Sequence, residues 1–217
     1  MDKSIRKYWE KRLEDLTGAF EANNFEVFIA DSTAVAKDIV VDQILPDLGA
    51  KSVSFGGSIT VVACGLYSHF KDNDKYDVID TFDRGVPMDE MLERRRQSLH
   101  VDLFLSSTNA MTESGQLVNL DMLGNRIAGI TFGPKNVIIL VGRNKLTADL
   151  EEAMFRIKNY AAPINAMRLK MKTPCAKTGI CEECKSPSRI CNTWMITEKS
   201  FGKGRVKIVL INEDLGF

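Results

Sequence analysis

Histidine is nearly missing from this chain, and an excess of either charge is missing altogether. Its 217 residues carry two histidines, 29 Lys plus Arg and 29 Asp plus Glu. Neither His69 nor His100 has a chemical partner placed beside it by spacing, which argues against a histidine-based catalyst. The cancelling charges remove the electrostatic case for nucleic acid or an anionic membrane as a general partner. No apolar run approaches the roughly twenty residues of a membrane-spanning helix, and the first ten residues lack the apolar core of a secretory signal. A cytoplasmic protein is the expectation. The G-x-G-x-x-G fingerprint is missing, so neither a NAD nor a flavin motif is visible, and internal repeats and low-complexity tracts are missing too. Cysteine is scarce until the last fifth of the chain, which holds four of the five. In a reducing compartment an odd, clustered set favours metal or redox chemistry over structural disulfides.

What is present is enough to bury a core: 44% hydrophobic against 27% charged residues is an ordinary globular balance. Ile5, Trp9, Leu13, Leu16 and Phe20 recur at helical spacing between charged residues, predicting an amphipathic N-terminal helix over 2–22. Apolar runs at 25–30, 51–55, 76–80, 101–105, 137–141 and 204–211 read as strands, and helical patterns separate most of them. Asp31 and Ser32 are placed to cap a helix reaching Leu48; further helices are expected at 59–69, 88–99 and from Leu146. Ala161, Ala162 and Pro163 should interrupt the last of these, with helix resuming over 164–172. The alternation defines an α/β fold with a mostly parallel sheet covered by helices. One domain spanning 1–217 is expected.

Two polar stretches lie at strand ends, where open α/β sheets bind ligands. The first, Gly56-Gly57-Ser58, links a strand to a helix: glycines admit a close ligand, and free amides at a helix start favour an anion. A double glycine there is more often a tight turn alone. The second runs from 106 to 126 and concentrates Asn109, Thr112, Glu113, Asn119, Asp121, Asn125 and Arg126. Turns are made of such residues, but a plain hairpin needs only one or two, and this segment adds an acid and a base. Lys145, with Arg143 and Asn144, closes a third strand and suits either an acidic ligand or an exposed turn. The run Arg94-Arg95-Arg96 has Glu90 and Glu93 within helical reach and reads as a solvated face.

Cys175, Cys181, Cys184 and Cys191 have gaps of five, two and six residues inside a segment, 173–192, punctuated by Pro174, Gly179 and Pro187. The two-residue gap aims two thiolates at one metal, and four thiolates would complete a zinc site or hold an iron–sulfur cluster. A redox-active pair, or simply reduced thiols in a loop, remain alternatives. Cys64 reads as an ordinary buried small residue.

STNAMTESGQLVNLDMLGNR over 107–126, FGPK at 132–135, VGRNK at 141–145, PIN at 163–165, TPCAKTGIC at 173–181 and EDLGF at 213–217 together resemble the LUD (lactate-utilisation) domain family. The resemblance implies a fold like that of ribose-phosphate isomerases, glucosamine-phosphate deaminases and CoA-transferases, and a part in oxidising L-lactate, or a related small hydroxy acid, to pyruvate. With no flavin or nicotinamide motif, electrons would leave through a metal centre here or on iron–sulfur partner subunits. In that reading a small anionic metabolite is the ligand, Gly56, Gly57, Ser58, Asn109, Thr112, Asn119, Asp121, Asn125 and Lys145 line its site, Arg126 grips its carboxylate and Glu113 is the general base. A group-transfer or isomerase enzyme on CoA esters or sugar phosphates, with Glu113 as nucleophile, is the second reading. A non-catalytic metabolite-binding subunit is the third. A homo-oligomer is compatible with all three.

Overall fold

The computed structural model describes residues 3–83 and 85–217; Asp2 of the expected first helix and Arg84 of the irregular 81–87 segment lie outside them. The strands are β1 (Glu26–Ala30), β2 (Ser52–Phe55), β3 (Asp77–Ile79), β4 (Leu103–Ser106), β5 (Ala110–Thr112), β6 (Leu117–Asp121), β7 (Asn136–Gly142), β8 (Leu146–Thr147), β9 (Thr193–Thr197) and β10 (Val206–Ile211). The helices are α1 (Lys3–Ala22), α2 (Thr33–Asp38), α3 (Leu45–Leu48), α4 (Ile59–Ala63), α5 (Leu66–Lys71), α6 (Met88–Gln97), α7 (Asn125–Thr131), α8 (Leu150–Arg156), α9 (Ala162–Arg168) and α10 (Cys175–Thr178). None of the described helices is long and apolar enough to cross a membrane.

Six strands form the main sheet in the order β1-β10-β7-β4-β2-β3, every neighbouring pair parallel. Its centre is made of the continuous apolar runs, because a parallel strand is covered on both faces. The side-chain alternation of each strand divides the core accordingly. Leu103, Leu105, Ile138, Leu140, Val209 and Ile211 pack on one face with Val40, Ile44, Val61 and Phe70 of the helical segments. Phe104, Val137, Ile139, Val141, Ile208 and Leu210 pack on the other against Leu13, Leu16 and Phe20 of α1.

Of a second sheet, β8-β5-β6-β9, the sequence marks only β6, as a short strand expected over 116–120; the other strands and their pairing were not legible. The β5–β6 hairpin and β6–β9 are antiparallel, while β8 is a two-residue parallel edge to β5. Met111 and Leu117 join this layer to the α1 core, and Ala110, Val118 and Leu120 join it to α8.

Three helix expectations need correction. The helix over 59–69 breaks after Ala63, leaving two pieces of five and six residues. Leu146 and Thr147 are strand rather than helix; Asp149, accepting from Glu152 N at 2.8 Å, is the cap that starts α8. Pro163 does not interrupt the chain of turns: a π-helical segment (Ile157–Ala161) joins α8 to α9, placing the proline in the first turn of α9, where its missing N–H costs no helical bond.

Candidate functional site

The carboxyl ends of β2, β4 and β7, together with the residues after β6 and β10, surround a cavity of about 210 Å³. Each strand end delivers its own polar group. After β2 come Gly56, Gly57 and Ser58; after β4, Ser107, Thr108 and Asn109; after β6, Asp121, Asn125 and Arg126; after β7, Lys145. Thr81 follows β3, Gly216 and Phe217 follow β10, Arg95 reaches in from α6, and Asn165 and Arg168 from α9. Ile190 of the cysteine segment closes one wall.

The glycine pair lets the backbone come this close. A side chain on Gly56 would collide with Ser106 Oγ and sit 2.9 Å from Phe104 Cζ, and Gly57 adopts φ +67°. Ser58 Oγ is committed as the cap of α4, accepting from Val61 N at 3.3 Å. Because α4 has only five residues, the expected helix-start anion cradle reduces here to close backbone approach.

Arg126 is held rather than presented. Its Nε and Nη2 donate to Asp121 Oδ1 at 2.8 and 2.6 Å, and Nη2 also donates to Asn109 Oδ1 at 2.6 Å. The other carboxylate oxygen of Asp121 accepts from Ile127 N at 3.2 Å. Asn109 Oδ1 accepts from Leu120 N at 3.0 Å as well, so these three residues tie β4, β6 and α7 into one wall. The bidentate edge that the sequence reading assigned to a ligand is taken by Asp121.

Arg95 is the opposite case. Its Nη1 is buried without a hydrogen-bond partner among the described residues, and burial draws its guanidinium below the ordinary arginine range. The three arginines of α6 have therefore separated. Arg94 donates to Glu90 and Asp83 and Arg96 to Glu93, while Arg95 faces the cavity. The sequence held the signal: three and four residues before Arg95 stand Leu92 and Met91, so it lacks the helical carboxylate its neighbours have.

Lys145 is 4% exposed. Its Nζ donates to Ser107 Oγ at 3.0 Å and to Thr108 O at 3.1 Å, and no carboxylate pairs with it among the described residues. Burial, with the nearby charges of Arg126 and Arg156, brings its amine from 10.5 down to about 7. Around the cavity Arg95, Arg126, Lys145 and Arg168 face one acid, Asp121. A chain with no net charge has concentrated cations at one opening, which focuses field on an anion.

Glu113, Thr112 and Asn119 are not brought to this cavity. Glu113 lies beyond β5 and pairs with Arg12 of α1, half-exposed. Thr112 bonds to Ser114 and Gln116 within the β5–β6 turn. Asn119 is fully buried in β6, with neither side-chain atom hydrogen-bonded to a described residue. Ser107, Thr108, Thr81, Asn165 and Arg168 are lining residues not among the expected site residues, although Ser107, Thr108 and Asn165 lie in the motif segments at 107–126 and 163–165; nothing in the sequence marks Thr81 or Arg168.

The four clustered cysteines line a separate small space of about 10 Å³ with Lys158, Thr173 and Arg189. All are free thiols. The donor set suits zinc or a cluster chemically, yet no group of three or more His, Cys, Asp or Glu among the described residues is placed to hold a metal. Arg189 staples the loop instead, Nε donating to Cys191 O at 2.9 Å and Nη1 to Cys184 O at 2.8 Å. Lys158–Glu183 at 2.7 Å and Ser186 Oγ to Lys172 O at 2.7 Å add to it.

A parallel α/β sheet with a cavity at its carboxyl edge defines the open α/β class of folds. Within it, the model of the LUD domain matches residues 13–211, and the chain belongs to that family. Among solved structures it is similar to a DUF162 family protein from Deinococcus radiodurans, with 13% identity and a TM-score of 0.50 over 93% of this chain and 97% of that one. This likeness is one of fold. Ribose 5-phosphate isomerase A from Neisseria gonorrhoeae aligns over 56% of this chain and 57% of its own, with 10% identity and a TM-score of 0.34. The Plasmodium falciparum ribose 5-phosphate isomerase aligns over 52% and 53%, with 15% identity and a TM-score of 0.31. No curated protein matches the chain.

Proposed function

We propose that the cavity binds a small carboxylate such as L-lactate or pyruvate, serving lactate utilisation, with Arg95 as the residue that takes the carboxylate. The observation that carries this reading is the buried, unpartnered Nη1 of Arg95, a residue lining a cavity in which Arg126 is already engaged by Asp121. An unsatisfied buried donor is costly, and an incoming carboxylate satisfies it with a charge-assisted bond. Size supports the same class: about 210 Å³ falls below the ~300–1,000 Å³ of pockets for drug-sized ligands, so a three-carbon acid suits the space better than a whole coenzyme. Oxidation of a bound hydroxy acid needs an electron acceptor, and in this proposal an iron–sulfur partner subunit supplies it. Glu113, which does not line the cavity, has no part in the reading.

Calorimetric titration with L-lactate, pyruvate, inorganic phosphate and CoA tests it. The carboxylates should bind, and Arg95→Met should weaken them by about 1.5–3 kcal/mol, or roughly ten- to a hundredfold in Kd, without unfolding the chain. Binding of phosphate or CoA with no response to the acids would transfer the cavity to phosphoryl or acyl substrates. Carboxylate binding unchanged in Arg95→Met would remove Arg95 from the site.

A further inference from the structure

Two lysines in the chain are almost fully buried, and they differ in one respect. Lys207, 7% exposed, has the Glu26 carboxylate at 3.3 Å. Lys145, 4% exposed, has only two acceptors among the described residues, the neutral Ser107 Oγ and Thr108 O, and lies on the wall of the cavity. A neutral amine has two N–H bonds and one lone pair. Two acceptors use both N–H bonds and leave the lone pair free, whereas an ammonium would keep a third proton with no partner. The nearest charges, Arg126 and Arg156, are both positive and oppose that proton. Arg156 is fixed in place, donating to Asn109 O at 3.1 Å and to Asn144 O at 3.0 Å. Desolvation beside other cations is how proteins turn lysine into a nucleophile at neutral pH. Lys145 is set apart from a binding lysine by this arrangement, since a residue meant only to attract an anion would gain from staying charged.

We infer that Lys145 is an imine-forming nucleophile toward the carbonyl carbon of a small 2-oxo acid held in the cavity. This rests on the small-carboxylate reading above. The Nζ lone pair adds to the carbonyl carbon, forming the C–N bond as the C–O π bond opens. The two nitrogen protons pass one after the other to that oxygen, with Ser107 Oγ, 3.0 Å from Nζ, as the relay. The oxygen then leaves as water while the nitrogen lone pair closes the C=N bond. Amine and ketone become imine and water, with no change of oxidation state and no further reactant. A 2-hydroxy acid has no carbonyl and can occupy the site only without a covalent bond, so the two acids of a lactate–pyruvate pair would be distinguished by this one residue.

The test is reductive trapping on the intact protein. Wild-type chain is incubated with pyruvate and cyanoborohydride, weighed by mass spectrometry and digested to locate the label; pyruvate binding is followed in parallel by calorimetry. One reduced pyruvate unit per chain is expected, located on Lys145, suppressed by excess lactate and lost in Lys145→Arg. The peptide map of the wild type decides by itself should that variant fold poorly. No adduct, or label spread over surface lysines and indifferent to lactate, overturns the inference. If pyruvate binds without forming the adduct, the inference falls and the small-carboxylate reading stands; if pyruvate does not bind, both fall.

Discussion

Lys145 and Glu113 show how far a residue's environment departs from its letter in the sequence. The burial that brings the Lys145 amine down to about 7 also ties stability to pH. Between about 7 and 10.5 the unfolded chain holds a proton that the folded chain lacks, so stability rises with pH across that window. Below it both forms are protonated and the full desolvation penalty weighs on the fold. Lys145→Met removes that penalty, so the variant should be more stable than wild type at neutral pH and show a flatter profile from 7 to 10.5 in denaturant titrations. A wild-type curve already flat across that range would show that the amine is not desolvated. Glu113 is the contrasting case. Paired with Arg12 at the surface, it should contribute no more than about 1 kcal/mol. Glu113→Gln is expected to leave carboxylate affinity unchanged, and a loss of affinity in calorimetry would return it to the site.

At the scale of elements, what the sequence made legible was what short-range pattern controls. The apolar runs at 137–141 and 204–211 became central strands β7 and β10 because parallel strands are apolar along their whole length. The Ser32 cap formed as expected, Ser32 Oγ accepting from Val35 N at 3.3 Å, and its helix reaches Leu48 through a π-helical segment, Ile39–Ile44, between α2 and α3. Apart from β6, the second sheet escaped because β8 has two residues and β9 pairs with β6 across more than seventy positions, a relation no local period encodes. The same limit applied to the site. Gly56, Gly57, Ser58, Asn109, Asp121, Asn125, Arg126 and Lys145 all reached the cavity because strand ends converge by topology, whereas Thr112 and Asn119 stay within β5 and β6 and Glu113 lies past β5, paired with Arg12 of α1. In the cysteine segment spacing suggested a ligand set, but the path of the loop is fixed by Arg189. Arg189→Ala should therefore speed alkylation of Cys181, Cys184 and Cys191 with little change in global stability. Cys64, which burial and the charge of Glu213 push up to about 12, should stay unlabelled in both proteins. Labelling rates unmoved by the substitution would mean that the loop is ordered by something else.

Across the whole molecule, a balanced surface and a cationic cavity are two sides of one distribution of charge. Several described cations are paired: Arg94 with Glu90, Arg126 with Asp121, Arg143 with Asp214 and Lys158 with Glu183. Two that line the cavity, Arg95 and Lys145, have no carboxylate partner among the described residues and come from α6 and from the turn after β7, about fifty positions apart in sequence. Only the parallel sheet, whose strand ends share one edge, brings them together, and that is the link from fold to chemistry in this chain. The most direct measurement is a crystal structure of the protein with pyruvate. The carboxylate should lie within hydrogen-bond distance of Arg95 Nη1, with the carbonyl carbon turned toward Lys145 Nζ. Pyruvate bound away from both residues, or a cavity that stays empty of it while calorimetry reports binding, would contradict the account.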